Sequence, residues 1–252
     1  MPPADVAPQD STLSADAPGP LLAAGASADV FALDETRVLR RYRESRDATP
    51  EVELLRHVTS HGFPAPAVLD SSGSDIVMTR LHGPTLLQAL GAGEVSIHDG
   101  AQILADLHRA LHAVPPPTSP DGAEPVAAEP GGAGTDGLCV VHLDLHPGNV
   151  ILTEDGPAVV DWANARAGRP ELDVAVTAVL VAEVAVDAGG DYSQAARALL
   201  AAFLQASHVS PLTALDDAVA LRTADPVLVP GERELVPEAA VLVRTLLDLT
   251  SA

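Results

Sequence analysis

Polar side chains stand at regular intervals in one strand-like stretch of the chain, VVHLDLHPGNVILTEDGPAVVDW. The positions there that could carry chemistry are His142, Asp144, His146, Asn149 and Asp161. Carboxylate and amide oxygens are ligands that suit Mg²⁺, and phosphoryl transfer depends mainly on such positioned charge. Imidazole and carboxylate groups on one face of a strand could instead hold Zn²⁺. The pattern therefore predicts either a phosphoryl-transfer site or a metal-dependent hydrolase.

The segment VILTEDGPAVV within this stretch predicts a β-hairpin, because two apolar runs flank a turn that contains Asp155-Gly156. A hairpin brings its two ends together, so Asn149 and Asp161 are expected to be neighbours. Asp144 precedes Asn149 by one compact loop. We therefore expect two carboxylates and an amide around one small space, which suits oxygen-liganded Mg²⁺ and a substrate hydroxyl.

Composition excludes several classes of function. The chain has 252 residues and a formal net charge of −21, which disfavours nucleic-acid and membrane-surface partners. All 14 basic residues are arginine, so a lysine-containing phosphate loop, Schiff-base chemistry and a lysine base are excluded. The single cysteine, Cys139, permits no internal disulfide, and the N-terminus has no signal-peptide pattern. We therefore expect a cytoplasmic protein.

The chain divides by pattern into three parts. Residues 1–19 are predicted to be a disordered tail. Residues 20–84 predict short strands and one helix, which Thr49 would cap and Pro50 would begin. Residues 85–252 predict mainly helices, with a Pro- and Gly-rich flexible insert at 115–137. Helices are expected after Ser96 and near 172–187, 192–206 and 237–250.

The motif HLDLHPGN, followed twelve residues after its asparagine by DW, resembles the catalytic loop and metal-binding aspartate of the aminoglycoside phosphotransferase/choline kinase family. Weaker matches follow in the expected order over about residues 21–207: PEVELLRHVTSHGFPAPAVL, VMTRLHGPTL, LADLHRALH and GRPELDVA. The resemblance implies an α+β, two-lobed protein-kinase-like fold. In that fold a small N-terminal antiparallel sheet lobe with one helix precedes a larger, mainly helical C-terminal lobe.

The resemblance also implies roles for individual residues. Asp144 would orient the acceptor hydroxyl and take its proton, while Asn149 and Asp161 would hold Mg²⁺ against ATP, with GTP as an alternative nucleotide. Arg40, or Arg41 as the second choice, would replace the family lysine beside Glu51. The remaining nucleotide contacts would come from Gly25 and Ser27 of a reduced glycine loop, and from the stretch between Met78 and Leu81 at the adenine.

The acceptor is predicted only as a small hydroxylated molecule. The resemblance implies that the acceptor contacts come from the helical lobe and its variable loops, here residues 115–137 and the segment after 207. Acidic residues there suit a cationic acceptor such as a polyamine or aminoglycoside, and choline-like, amino-alcohol and sugar acceptors remain open. Oligomeric state is left open. Two alternatives also remain: a weakly active, pseudokinase-like nucleotide-binding regulator, favoured by the missing lysine, and a metal-dependent hydrolase built on His142, Asp144 and His146.

Overall fold

The computed structural model describes residues 18–25, 27–44, 46–117, 137–187, 190–228 and 230–250. Most of the predicted tail (1–19) and insert (115–137) therefore lies outside the described residues. The described residues form an antiparallel sheet with one helix, followed by a larger and mainly helical part. This confirms the predicted α+β fold class.

In the described part of the N-terminal lobe there are five strands and one helix: β1 (Leu21–Ala24), β2 (Ala28–Ala32), β3 (Arg37–Tyr42), α1 (Thr49–Ser60), β4 (Val68–Ser72) and β5 (Asp75–Thr79). All neighbouring strands are antiparallel, in the order β1-β2-β3-β5-β4. The central position of β3 follows from its apolar residues Val38 and Leu39, which are buried. Val52 of α1 packs with Val38 and Ile76 in a small core.

The start of α1 differs from the prediction in one detail. Thr49 is not the capping residue but the first residue of the helix, and Ala48 occupies the cap position. The Asp47 carboxylate accepts hydrogen bonds from the Thr49 amide (3.0 Å) and hydroxyl (2.7 Å). A side-chain acceptor before the helix therefore satisfies an otherwise unpaired amide, but the aspartate supplies it.

The C-terminal lobe contains six helices and two small strand pairs among the described residues. Its elements are α2 (Leu86–Ala92), α3 (Ile97–His112), β6 (Cys139–Val141), β7 (Val150–Thr153), β8 (Gly156–Val159), β9 (Arg166–Gly168), α4 (Pro170–Val186), α5 (Asp191–Ala206), α6 (Leu215–Thr223) and α7 (Pro230–Thr250). β6 pairs with β9, and β7 pairs with β8. The motif loop lies between β6 and β7. β6 packs against α3 and α4, and β7 packs against α2.

α4 lies at the centre of the helical lobe. It is apolar on nearly every side, as expected of a helix surrounded by α5, α6 and α7. Among the described residues, no single helix has the length and hydropathy of a membrane span. The bent pair Tyr192–Ala206 and Pro211–Thr223 meets that test only when its two members are taken together.

Three helical features differ from the prediction. α2 was not predicted, although Thr85 and Gln88 form a capping box at its start and Gly93 ends it in a left-handed conformation. α6 was not predicted because its pattern of apolar residues has little helical periodicity. α7 begins at Pro230, and Pro237 lies inside it rather than at its start.

Candidate active site

The loop between β6 and β7 holds Asp144 and Asn149 side by side. The Asn149 Nδ2 donates hydrogen bonds to the backbone oxygen of Asp144 (2.9 Å) and to its Oδ2 (3.0 Å). A single 3₁₀ turn, Pro147–Asn149, makes the loop compact enough for these contacts. Because both partners are acceptors, the amide nitrogen of Asn149 faces Asp144, and its Oδ1 is turned away from that carboxylate.

The β7–β8 hairpin returns the chain to this loop. The Val160 amide donates to the Asn149 backbone oxygen at 2.9 Å, so Asp161 follows directly beside Asn149. Asp161 has a φ of 64°, in the left-handed region that non-glycine residues rarely adopt. Such a conformation costs on the order of 1–3 kcal/mol, and its place in a candidate site indicates a constraint on where the carboxylate points.

Arg40 connects the two lobes at this point. Its Nη2 donates to Asp161 Oδ1 at 2.8 Å, and its Nε lies 3.2 Å from Glu51 Oε1. The Tyr42 hydroxyl donates a short hydrogen bond to the other Glu51 oxygen. Burial opposes the charge of Arg40, but Asp161 and Glu51 together raise its pKa. The arginine is therefore a permanent cation between a carboxylate of α1 and one of the motif.

The register of β3 decides which arginine faces the site. Arg40 lies opposite Ile76 of β5 and Arg41 lies opposite Asp75. Successive side chains of a strand point to opposite faces, so only one of the two arginines can face inward. Arg41 donates to Asp75 at 2.8 and 2.7 Å on the outer face. The structure thus places Arg40, rather than the second choice Arg41, beside Glu51.

The electrostatics of the site favour proton transfer near neutral pH. Burial, and next the charge of Asp161, raise the pKa of Asp144 from its ordinary value of 3.8 to about 7. The hydrogen bond from Asn149 and the charge of Arg222 act in the opposite direction. A carboxylate with such a pKa can accept a proton at neutral pH and still be a useful base.

The two motif histidines support the loop. The His142 ring is buried, and its Nε2 donates to the Val160 oxygen at 3.2 Å. The His146 Nδ1 accepts from the Gly148 amide at 3.0 Å, and its Nε2 lies 3.7 Å from Asp144 Oδ1. Within the described ranges, no group of three or more His, Cys, Asp or Glu side chains could hold a metal ion. The geometry therefore does not favour the hydrolase interpretation.

Asp173, near the start of α4, is a site residue to which the sequence assigned no role. Its Oδ1 accepts from the backbone amides of His142 (3.1 Å) and Leu143 (2.7 Å), and its Oδ2 accepts from His112 Nε2 (2.8 Å). Burial would raise the pKa of Asp173, but these hydrogen bonds and the histidines hold it below its usual range. Leu143 has a φ of 61°, so Asp173 stabilises the strained residue just before Asp144.

The other predicted nucleotide contacts lie at the sheet. Gly25 and Ser27 are exposed in the turn between β1 and β2. Met78 is buried with the N-terminal core, and Leu81 is partly buried just after β5. The amides of Thr79 and Arg80 already donate to Ala67 and Thr36. These hydrogen bonds occupy two backbone amides of this stretch, which leaves fewer backbone donors for an adenine.

The residues at the centre of the site fit Mg²⁺. Asn149 Oδ1 and the Asp161 carboxylate are hard oxygen donors on adjacent strand ends, the donor type that Mg²⁺ prefers. Mg²⁺ commonly binds through one or two such protein groups and completes its coordination with phosphates and water. Two protein ligands are therefore sufficient when a nucleotide supplies the others.

Comparison with known proteins supports the resemblance. The model of the "Phosphotransferase enzyme family" matches residues 19–131 and 127–208. Among solved structures, the gentamicin complex of APH(2")-IIa has a TM-score of 0.54 at 16% identity, covering 89% of this chain and 90% of its own. Amicoumacin kinase hAmiN with AMP-PNP, Ca²⁺ and Ami has a TM-score of 0.57 at 14% identity, covering 88% of this chain and 87% of its own.

A choline/ethanolamine kinase family protein from Mesorhizobium loti has a TM-score of 0.53 at 16% identity, with coverage of 90% of this chain and 88% of its own. No curated protein matches the chain. The structural similarities cover both lobes and show a common protein-kinase-like fold. The family model spans most of the chain, including the motif of residues 142–161. The chain therefore belongs to the phosphotransferase enzyme family, as the resemblance of its motif predicted.

Proposed function

We propose that this protein is an ATP-dependent kinase that transfers the γ-phosphoryl group to a hydroxyl of a small molecule. The observation that carries the proposal is the convergence of Asp144, Asn149 and Asp161 on one space, with the Arg40 cation beside Asp161. Phosphoryl transfer needs alignment and charge neutralisation more than covalent chemistry, and this set supplies both.

In the proposed reaction, Asp144 is the base. The acceptor oxygen forms a bond to the γ-phosphorus, and the bond from that phosphorus to the β–γ bridging oxygen breaks. ADP leaves, and the hydroxyl proton passes to the Asp144 carboxylate. The pKa of about 7 in the free protein suits this role, because the carboxylate is basic enough to take the proton near neutral pH.

Asn149 and Asp161 are the proposed Mg²⁺ ligands. When bound there with the nucleotide, Mg²⁺ would supply neutralisation of the charge on the β- and γ-phosphates. Arg40 is the proposed phosphate-binding cation, held in place by Glu51. Arginine binds phosphate through a planar donor fork and keeps its charge at every physiological pH, so it can replace lysine in this role. Gly25, Ser27, Met78 and Leu81 stay as proposed nucleotide contacts.

The relatives support an adenine nucleotide as the phosphoryl donor and a small molecule as the acceptor. One is described with AMP-PNP and Ca²⁺, and another with gentamicin. We propose ATP as the donor, with GTP as the alternative, and a cytoplasmic location consistent with a single cysteine. We also propose lobe boundaries at 20–84 and 85–252.

A second candidate is a nucleotide-binding regulator with weak activity. It is favoured by one observation: Arg40 donates directly to Asp161 Oδ1, an oxygen that the kinase reaction requires for the metal. If this ion pair persists in the nucleotide complex, binding would occur without efficient turnover. Measurement of turnover therefore separates the two candidates.

Mg²⁺-dependent stabilisation by ATP tests the proposed function. A ligand at about 100 times its Kd stabilises a protein by about 2.7 kcal/mol, which corresponds to about 5–10 °C in Tm for a chain of this size. We expect that shift with ATP and Mg²⁺ together, a much smaller shift with either alone, and slow Mg²⁺-dependent ADP release. Asp161→Asn should abolish the Mg²⁺-dependent part of the shift.

Asp75→Asn is the matched control. Asp75 also holds an arginine of β3, but on the outer face of the sheet, so this variant should keep the full shift. An Asp161→Asn protein that responds to ATP and Mg²⁺ like the wild type would contradict the proposed metal site. A full shift in the wild type without any ADP release would favour the regulator.

A further inference from the structure

A cavity of about 380 Å³ lies in the helical lobe and reaches the motif loop. Its volume is within the range of about 300–1,000 Å³ that small-molecule sites occupy. His146, Pro147 and Gly148 line it, and the His146 Nε2 lies 3.7 Å from Asp144 Oδ1. The cavity therefore begins one side chain away from the proposed base.

The cavity lies entirely in the helical lobe. Its lining residues come from the motif loop and from helices of that lobe, among them Arg222 of α6. Arg40, beside which the nucleotide phosphates are proposed to bind, belongs to β3 of the N-terminal lobe and reaches the motif through Asp161. A molecule in the cavity would thus approach Asp144 from the helical lobe, and the nucleotide phosphates from the sheet lobe.

The interior of the cavity is apolar. Side chains of α2, α4 and α5 supply most of the wall, among them Leu90, Leu180, Val181 and Leu199. Exposed apolar side chains also line the cavity: Leu87 is 51% exposed, Val184 49% and Tyr192 75%. Exposed apolar groups at a cavity are typical of a binding site for an apolar molecule.

The buried charges of the cavity are already paired. Glu183 is buried and accepts from the Arg222 Nε at 3.0 Å and from its Nη2 at 3.1 Å. The Arg222 Nη1 donates to Asp225 at 2.8 Å, so both ends of this guanidinium are used within the protein. Asp187 and Glu232 lie at the exposed rim, where water and salt weaken their attraction for a cation.

We propose that the acceptor is an uncharged alcohol with an apolar body, bound in this cavity with its hydroxyl directed past His146 to Asp144. The proposal rests on the kinase function above and narrows its substrate class. It replaces the cationic acceptor favoured by the sequence, because the buried acidic group of the cavity, Glu183, is already paired with Arg222. Helices α2 and α5, which the sequence did not connect with the acceptor, form much of the site.

A matched pair of alcohols tests the charge preference. Choline and 3,3-dimethylbutan-1-ol have nearly the same shape and differ in one atom, a cationic nitrogen or a neutral carbon. We expect the neutral alcohol to have the higher kcat/KM, by about tenfold or more, in an assay of Mg²⁺-ATP-dependent ADP release. In a series of primary alcohols from hexanol to decanol, each added methylene should raise kcat/KM about two- to fourfold until the cavity is full.

A variant that fills the cavity tests the location. Ala196 of α5 lines the cavity, whereas Ala198 of the same helix is exposed and does not. Ala196→Phe should raise the KM for the apolar alcohols at least tenfold and weaken their direct binding, measured by calorimetry without nucleotide. Ala198→Phe is the control and should leave both unchanged. Both variants should keep the wild-type Tm and the Mg²⁺-ATP shift.

The outcomes distinguish the inference from the function on which it rests. A preference for choline or for an aminoglycoside, or equal loss in the two phenylalanine variants, would overturn the apolar acceptor and leave the kinase intact. Apolar alcohols that neither bind nor react with an ATP-binding protein would also overturn it. Absence of any Mg²⁺-dependent ATP stabilisation would overturn the kinase, and the acceptor assignment with it.

Discussion

Asp144→Asn is expected to lower the rate of phosphoryl transfer by about 10²–10⁴ while leaving the fold and ATP binding intact. The amide cannot take the hydroxyl proton, but it can still accept the hydrogen bond that Asn149 Nδ2 donates to Asp144. Single-turnover measurement of ADP formation checks the rate, and the Mg²⁺-ATP shift in Tm checks binding. In the wild type, kcat/KM should fall as the pH decreases below about 7, since the base is then protonated.

The same substitution should stabilise the protein at alkaline pH. Between pH 3.8 and about 7 the folded protein keeps a proton on Asp144 that the unfolded chain has released. The stability from this group is therefore present below pH 3.8 and is lost as the pH rises through about 7. Because the Asp144 side chain is 27% exposed, water weakens this effect. We therefore expect Asp144 to change the free energy of unfolding by about 2 kcal/mol, which is less than the full pKa shift would correspond to. Asp144→Asn should be more stable than the wild type by that amount at pH 8, and nearly equal to it at pH 4.

Denaturant unfolding at the two pH values measures this difference. Asp106→Asn, which makes the same exchange of carboxylate for amide at an exposed position paired with Arg109, is the control. If Asp144→Asn keeps wild-type turnover, Asp144 is not the base. If it is no more stable than the wild type at pH 8, the carboxylate is not held in an environment that disfavours its charge.

Asp173→Ala is expected to destabilise the protein by about 4 kcal/mol. The substitution removes the acceptor of two buried backbone amides, and each buried donor without a partner costs about 1–3 kcal/mol. It also removes the partner of His112 Nε2. Since Leu143 no longer has support for its left-handed backbone, the loop that carries Asp144 should shift, and turnover should fall together with stability.

Glu171→Ala is the matched control for this effect. Glu171 lies in the same first turn of α4, where an acidic residue interacts favourably with the helix dipole, but the amides of His142 and Leu143 donate to Asp173 instead. This variant should lose less than about 1 kcal/mol. Urea unfolding of both variants measures their losses of stability. Equal losses would show that Asp173 acts only through the helix dipole and not through the loop amides.

The proximity of the motif residues could be predicted from the sequence because their geometry is local. The spacing of Asp144, Asn149 and Asp161 around a recognisable hairpin was sufficient to predict that they meet, and the structure brings them together. The resemblance preferred Arg40 to Arg41, but the residue pattern alone did not decide between them, because the choice depends on the register between β3 and β5. One residue of shift would exchange the two faces.

The features that the sequence missed depend on long-range contacts. Asp173 contacts the loop from thirty positions further along the chain, and its one local signal was a carboxylate in the first turn of a mostly apolar helix. α2 had a local signal, the Thr85–Gln88 capping box, which the prediction did not use. The cavity is assembled from several helices, so no short segment of sequence encodes it.

A crystal structure with Mg²⁺ and a non-hydrolysable ATP analogue tests the central claim most directly. The account predicts Mg²⁺ at about 2.0–2.1 Å from Asn149 Oδ1 and from an Asp161 oxygen, with Arg40 turned toward the phosphates. The Asp144 carboxylate should face the γ-phosphorus from the side of the helical lobe. A nucleotide bound elsewhere, or a metal ion held without Asn149 and Asp161, would contradict it.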